Sequence, residues 1–214
     1  MSELPVLTGP GTRVRAGNTM SRTRGALLQA ALTAIETRGA RKATMGDVSA
    51  IANVAKGTLY NHFRSKDELY DAAARAAVAE LGERAAAVAA TGGLGAALAL
   101  AATAVASSSV LARLRADEPG VLGAALAAAV NDETRAVVAD VLTAGGVGGD
   151  PAAVEITLRW LLGCAAGSVE TAAVSTVAAR LSAALIATVP VLRLDVSVPG
   201  PSAEAPDTAA LAHA

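Results

Sequence analysis

The side chains best suited to chemistry in this sequence lie in one short segment, residues 56–62. Hydrogen-bond donors and cations occupy five of its positions: Lys56, Thr58, Tyr60, Asn61 and His62. Such groups donate to phosphate oxygens and to the acceptor edges of bases, and a helix that carries them fits the major groove. Gly57 has no side chain, so a neighbouring backbone can come close there. The segment therefore predicts a surface that binds double-stranded DNA.

The rest of the sequence carries no comparable set of residues for catalysis. The only histidines are His62 and His213, and the only cysteine is Cys164. This argues against a metal-ligand cluster and a Ser/His/Asp set, and the Gly-rich segments 92–95 and 145–149 lack the GxGxxG and Walker patterns. We expect no catalytic residue, no metal and no cofactor, and we read the lone cysteine as fitting a reducing cytoplasm.

The donor-rich segment follows a short amphipathic stretch, and the two together predict a helix, a turn and a second helix. Thr44 is a good N-cap for the first helix, whose apolar stripe is Met45, Val48, Ile51 and Ala52. Asn53 ends this helix because asparagine tolerates the left-handed backbone conformation that a sharp exit needs. The apolar residues that then face inward are Val54, Leu59 and Phe63. The donors are left on the outer side of the second helix.

The run ANVAKGTLYNHF from Ala52 to Phe63, followed by SKDEL from Ser65 to Leu69, resembles the N-terminal signature of the TetR family of bacterial transcriptional regulators. The usual pattern is Ile-Ala, two residues, Ala-Gly-Val-Ser, any residue, Gly-Thr-Leu-Tyr, any residue, His-Phe, and then Ser-Lys-Glu-x-Leu. The resemblance covers roughly residues 22–81. It implies a homodimeric regulator, most often a repressor, that binds a palindromic operator and is released by a small molecule. The alternative is a helical interaction or structural module without a DNA role.

Eight residues are predicted to contact DNA: Thr44, Lys56, Gly57, Thr58, Tyr60, Asn61, His62 and Lys66. The role of Lys66 comes from the resemblance, because the family lysine at this position commonly holds a phosphate. The chain departs from the usual pattern at Ser49 and Asn53, and Ala55 stands where a serine would cap the second helix. Losing that cap costs about 1 kcal/mol. We therefore expect the recognition helix to be the least rigid part of the DNA-binding domain.

Charge is unevenly divided along the chain. Residues 11–66 hold ten Arg or Lys side chains against two carboxylates, a net charge of +8, whereas the whole chain has −1 and the remainder therefore −9. A basic head on an acidic body is what binding to DNA phosphates requires. Four arginines near the N-terminus either enter a minor groove or attract phosphates non-specifically: Arg13, Arg15, Arg22 and Arg24.

Composition favours an all-α fold, since the 53% hydrophobic residues are mostly Ala, Val and Leu and only 2% of the chain is aromatic. The helix start and stop residues along the chain predict about nine helices. We expect an N-terminal three-helix helix-turn-helix domain and a C-terminal helical ligand-binding and dimerisation domain. The predicted boundaries are a disordered basic arm at 1–20, the DNA-binding domain at 21–66, the second domain at 67–190 and a disordered tail at 191–214. Helix 1 is predicted over about 22–38. Helix 7 is predicted from Pro119 to about Ala144, either unbroken or interrupted at Asn131-Asp132-Glu133, and the last helix is predicted to end at Pro190.

The stretch 85–112 has no charged residue, which raises the question of a membrane span. Alanine barely favours hydrocarbon, and Gly92-Gly93 interrupts the helix. We therefore predict a buried helix of a cytoplasmic protein.

The two last long helices, about 151–167 and 168–189, are apolar nearly all round and must be buried on more than one side. The resemblance implies a four-helix bundle with a second copy, and the alternative is that they complete the monomer core. A pocket in this body would be mainly aliphatic, which predicts an apolar effector. Four residues are candidate ligand contacts, although each also suits a surface or packing role: Asn131, Arg135, Arg159 and Trp160.

Overall fold

The computed structural model describes residues 11–167 and 171–192, with side chains described for residues 20–167 and 173–188. Its regular elements are all helices, and the described residues form no strand, so the all-α prediction is confirmed. Over residues 11–167 and 171–192, ten helices follow one another: α1 (Gly11–Arg38), α2 (Met45–Ile51), α3 (Lys56–His62), α4 (Lys66–Gly92), α5 (Leu94–Ala106), α6 (Ser109–Asp117), α7 (Pro119–Ala128), α8 (Asp132–Ala144), α9 (Pro151–Ala166) and α10 (Thr171–Leu192). We call α1–α3 the head and α5–α10 the body, and α4 runs through both.

The tenth helix arises because the predicted helix 7 is divided into two helices at Asn131, where the sequence allowed an interruption. α7 ends at Ala128, and Asn131 caps α8 by accepting a hydrogen bond from the Thr134 amide at 2.9 Å. The Asn131 amide group also donates to the Ala128 carbonyl at 2.8 Å, so one side chain satisfies both helix ends. An asparagine that binds local backbone in this way competes with helix continuation.

Two helix boundaries also differ from the predictions. α1 begins at Gly11, so residues 11–20 are helical although an arm without structure was predicted there. Each residue added to an existing helix gains a hydrogen bond without a new nucleation cost, which lets α1 extend through Gly17 and Asn18. α10 continues two residues past Pro190, to Leu192, since the fixed φ of proline suits a helix even though its missing N–H costs one hydrogen bond. Residues 1–10 and 193–214, which include most of the predicted tail, lie outside the described residues.

The head has its own buried core, here called the head core. α1 packs against α2 and α4, and the buried members of the core are Leu27, Ala30, Ala31, Ala34, Ala43, Val48, Leu59, Phe63, Leu69, Ala72 and Ala73. Ile51 was predicted to face inward but is 44% exposed. At 100° per residue, Val48 and Ala52 lie within about 60° of Met45 around the helix axis, whereas Ile51 lies about 120° from Met45. Ile51 therefore falls outside the apolar stripe.

The body is organised around α5. This helix packs against α4, α9 and α10, and the predicted burial is confirmed by Leu94, Leu98 and Ala102, each no more than 1% exposed. Within the described residues no single helix is long and apolar enough to cross a membrane, and only the consecutive pair α5 and α6, bent by 46°, meets that test when joined.

A separate apolar cluster joins the head to the body. Its buried residues are Ile35, Ala40, Leu114 and Leu122, and we call it the junction cluster. Ile35 belongs to α1 and Ala40 to the loop that follows it, whereas Leu114 and Leu122 belong to α6 and α7. Tyr70 of α4 contacts both this cluster and the head core. The position of α6 and α7 is therefore coupled by direct packing to the segment that leads into α2.

Candidate DNA-binding surface

A reciprocal capping box holds the start of α2. The Thr44 hydroxyl accepts from the Asp47 amide at 3.2 Å, and the Asp47 carboxylate accepts from the Thr44 amide at 2.9 Å. The Thr44 hydroxyl also donates to Asp47 at 2.8 Å. These hydrogen bonds from Thr44, with the nearby charge of Arg38 at 3.1 Å, lower the pKa of Asp47. Thr44, which was predicted to touch DNA, thus has a structural role that its sequence position also indicated.

The turn between α2 and α3 has the predicted geometry. Asn53 has φ 52°, the only non-glycine residue with positive φ among the described residues. Its amide donates to the Ala50 carbonyl at 3.2 Å, and the Val54 amide donates to the Ser49 carbonyl at 3.0 Å, which satisfies the end of α2. Asparagine accepts this conformation where the usual family pattern has glycine. The departure at position 53 therefore leaves the turn intact.

α3 begins without a side-chain cap, as the sequence predicted. Ala55 occupies the N-cap position with extended backbone and makes no side-chain capping hydrogen bond. The helix is only seven residues long. It keeps its position because Leu59 and Phe63 are buried in the head core, at 0% and 1% exposure. Packing, rather than capping, stabilises this helix.

The opposite side of α3 faces solvent and carries the predicted DNA contacts. Lys56, Gly57, Tyr60 and Asn61 are exposed, whereas Thr58 and His62 are half-buried at its edges. The Lys56 side chain lies over Gly46 of α2, where an added Cβ would be 3.4 Å from Cε and 3.6 Å from Nζ of the lysine. The lysine ammonium therefore lies beside the first turn of α2. The arrangement forms one solvent-facing patch of donors and cations.

Lys66 occupies a different place from the one predicted by the resemblance. Its ammonium group donates to three backbone carbonyls, those of Ala40 at 3.0 Å, Arg41 at 3.2 Å and Ala43 at 3.3 Å. An ammonium has three donors, so all of them are used within the protein. The half-buried Lys66 also lies 5.8 Å from the Tyr70 ring centroid. In this structure Lys66 supports the loop before α2, and none of its donors is left for a phosphate.

Two residues support this surface through contacts that the sequence did not predict. One of them, Arg24, was expected to reach a minor groove or DNA phosphates. Arg24 stacks over the Phe63 ring at 4.7 Å from the centroid, so this arginine covers the head core. Glu118, at the start of α7, accepts from the Arg41 amide with both carboxylate oxygens at 3.2 Å. Neither contact had a sequence signal, because the partners lie far apart along the chain. The side chains of Arg13 and Arg15 lie outside the described residues.

The four candidate ligand contacts do not converge on one site. Asn131 is occupied in capping α8. Arg135 and Arg159 flank Glu155 on the surface, with nitrogen–oxygen distances of 3.5 Å and 2.7 Å, and Arg159 is 76% exposed. The hydrogen bond from Arg159 is the main cause that lowers the pKa of Glu155. Trp160 is half-buried and packs on two body clusters.

Two open grooves are formed by described residues, and neither includes these four candidates. One lies between α1 and α2 in the head, and the other lies between α4 and α8: it is lined by Ala79, Gly82, Glu83, Ala86, Val137 and Asp140. In this structure Asn131 caps a helix, and Arg135 and Arg159 form surface ion pairs. The ligand contacts of the four residues stay a prediction.

Comparison with known proteins supports the assignment of the head. Residues 27–73 match the family described as bacterial regulatory proteins, tetR family. A crystal structure described as a TetR-family transcriptional regulator from Mesorhizobium loti aligns with a TM-score of 0.53 and 21% identity, over 79% of this chain and 97% of that one. A TetR-like transcriptional regulator from Rhodococcus sp. aligns with a TM-score of 0.42 and 20% identity, over 77% and 96%. No curated protein matches the chain in sequence.

The matched segment begins within α1 and ends in α4, so it contains the whole helix-turn-helix unit and the head core behind it. The alignment with the Mesorhizobium loti structure extends the shared fold into the body. The resemblance of this chain to the TetR family is confirmed by both, and the chain has the fold of a TetR-family transcriptional regulator.

Proposed function

We propose that this protein is a transcriptional repressor that reads a palindromic operator as a homodimer and leaves the DNA when an apolar effector binds its body. The observation that carries the proposal is the two-sided character of α3. Leu59 and Phe63 anchor one side in the head core, and the other side presents Lys56, Tyr60 and Asn61 to solvent. A helix held in this way enters the major groove with its donors against bases and phosphates.

Different residues of this patch should contribute differently. Lys56 and Asn61 have side chains that pair with guanine and adenine edges, respectively, and each good pair discriminates by about 1–3 kcal/mol. Tyr60 is 53% exposed and has a hydroxyl suited to a phosphate oxygen, which is the same for every base. Arg41 and Lys42 are exposed in the loop before α2 and add cations beside the patch.

The test begins with selection of a tight-binding duplex from a random pool by the wild-type dimer. On this duplex, Lys56→Ala and Asn61→Ala are expected to lower affinity roughly 10- to 100-fold and to relax base preference. Tyr60→Ala should weaken binding to selected and unrelated duplexes alike, because it removes a hydrogen bond to the DNA backbone. Fluorescence anisotropy over a series of salt concentrations measures both effects.

Arg84→Ala is the matched control, since Arg84 is an exposed cation on α4 outside the patch. It should leave both affinity and base preference unchanged. Equal losses for Arg84→Ala and the α3 variants, or no loss for any α3 variant, would reject α3 as the recognition helix. Failure of the wild type to enrich any duplex would favour the alternative of a helical module without a DNA role.

Dimerisation through α9 and α10 is supported by apolar side chains that the monomer leaves exposed. Ile156 on α9 is 53% exposed, and Val177 and Ile186 on α10 are 42% and 51% exposed. Other residues of the same helices, such as Leu158 and Val174, are buried in the body at 3% and 1%. Both helices therefore complete the monomer core with one side and keep apolar residues on another for a partner.

The effector is inferred to enter the body by separating its helices. Leu94, Leu98, Leu142 and Leu158 fill the interior at 3% exposure or less, so this interior offers dispersion contacts to an apolar compound. A thermal-shift screen of apolar small molecules is expected to raise the unfolding temperature, because a ligand at 100 times its Kd stabilises by about 2.7 kcal/mol. Each hit should also lower affinity for the selected duplex. Hits that stabilise the protein yet leave DNA affinity unchanged would contradict release by an effector.

A further inference from the structure

The loop between α1 and α2, residues 39–43, is held from the body by a buried carboxylate. Glu118 is 8% exposed, and it lies between the end of α6 and the start of α7. Both of its carboxylate oxygens are 3.2 Å from the Arg41 amide nitrogen, which donates to them. A Cβ added at Gly39 would be 2.7 Å from Glu118 Oε1, and Gly39 has φ 83°, so the loop passes directly against the carboxylate.

The same loop is held from the head by Lys66. The carbonyls of Ala40, Arg41 and Ala43 point to the Lys66 ammonium, whereas the Arg41 amide points to Glu118. The two sides of the loop backbone thus meet opposite charges that match the amide and carbonyl dipoles. Hydrogen bonds to charged groups are about twice as strong as neutral ones, and water competes poorly for a hydrogen bond whose charged group is mostly buried.

The loop that these two charges hold carries exposed cations and leads straight into the helix-turn-helix. Arg41 and Lys42 are exposed, and Thr44 begins the capping box of α2. Ala40 belongs to the junction cluster with Leu114 and Leu122, the residues that flank Glu118 on α6 and α7. A movement of the α6–α7 corner would therefore pull on the Arg41 amide and would redirect the two cations next to it.

We propose that Glu118 is a positioning residue for DNA binding: it holds the loop so that Arg41 and Lys42 meet the DNA phosphates, and it links the α6–α7 corner of the body to the head. This inference rests on the proposed function and names the contact through which the body controls DNA affinity. Glu118 belongs to the body, and its hydrogen bonds to the head are made to the backbone amide of Arg41. We therefore expect it to act on DNA binding through the loop.

The experiment uses the full-length protein and the duplex selected by the wild type. Glu118→Ala is expected to lower affinity about tenfold and to lower the slope of log affinity against log salt by about 0.9 for each phosphate that is no longer neutralised. Glu118→Gln keeps the shape and one acceptor oxygen, so it should recover part of the affinity. Asp117→Asn is the matched control, because Asp117 is next to Glu118 in the chain but its carboxylate is 49% exposed and pairs with Arg113. This variant should leave DNA affinity and salt slope unchanged.

A double-mutant comparison separates positioning from a general loss of stability. In a background of Arg41→Ala and Lys42→Ala, Glu118→Gln should have almost no further effect on DNA affinity, because the cations that it positions are gone. The same loss of affinity in both backgrounds, or an unchanged salt slope in the original one, would overturn the positioning role. If the wild type selects no duplex, the proposed function and this inference are both rejected. If the wild type binds a duplex and the Glu118 variants bind it equally well, only the inference is rejected.

Discussion

Replacing Ile156 and Ile186 together by glutamate is expected to convert the proposed dimer into monomers. The two exposed isoleucines lie on α9 and α10, and every substitution enters a two-fold interface twice. Burying an isoleucine contributes about 1.5–3 kcal/mol, and an unpaired carboxylate in its place adds a desolvation cost. We expect the dimer dissociation constant to rise by more than about 100-fold, which corresponds to about 2.7 kcal/mol. Sedimentation velocity at micromolar concentration measures this change directly.

Val130→Glu is the matched control for that experiment. Val130 is an apolar residue of similar exposure, 40%, but it lies in the link between α7 and α8 and belongs to neither α9 nor α10. This variant should remain a dimer. A wild-type monomer, or a double variant that sediments as the wild type does, would remove the model of two half-sites. Monomers produced by the double variant should bind the selected duplex weakly, because one head meets only one half-site.

The second large effect is expected from Phe63→Ala. Phe63 is 1% exposed in the head core, and Arg24 stacks on its ring, so its removal leaves a cavity and an uncovered guanidinium. Truncation of a buried phenylalanine to alanine costs about 3–5 kcal/mol, which is a large share of the free energy of unfolding of a small helical domain. The head should open while the body keeps its helices, with loss of DNA binding. Hydrogen exchange, read for α1–α3 and for α5–α10, distinguishes the two regions.

Tyr60→Ala serves as the control for the Phe63 experiment. Both variants remove an aromatic ring from positions three residues apart, but the Tyr60 ring is 53% exposed and contributes little to the head core. Tyr60→Ala should therefore reduce DNA binding without faster exchange in α1–α3. Slow exchange in the head of Phe63→Ala, with DNA binding retained, would contradict the role assigned to the head core.

The features that the sequence predicted correctly depend on neighbours along the chain. The capping by Thr44, the left-handed Asn53 and the missing cap at Ala55 all follow from interactions within a few residues, and all are present in the structure. The inward Leu59 and Phe63 follow from helical periodicity in the same way. Local geometry limits the choices at these positions strongly enough for sequence reasoning to succeed.

Interactions between distant segments could not be read in this manner. Lys66 reaches back to carbonyls at Ala40–Ala43, and Glu118 reaches an amide 77 positions away, so neither partner is visible in a sequence window. The predicted ligand residues failed to converge for the same reason, since Arg159 found Glu155 on the surface and Asn131 found a helix end. Residue type limits which partners a charged side chain accepts, and only the packing of the helices decides which of them it meets.

Sequence alone thus determined the helical class, the helix-turn-helix unit and the side of α3 that faces outward, because periodicity and capping act over a few residues. The tertiary structure alone decided that Lys66 points into the protein, that Ile51 points out, and that the α6–α7 corner touches the loop before α2. Those outcomes depend on how whole helices pack, and packing joins residues that the chain keeps far apart.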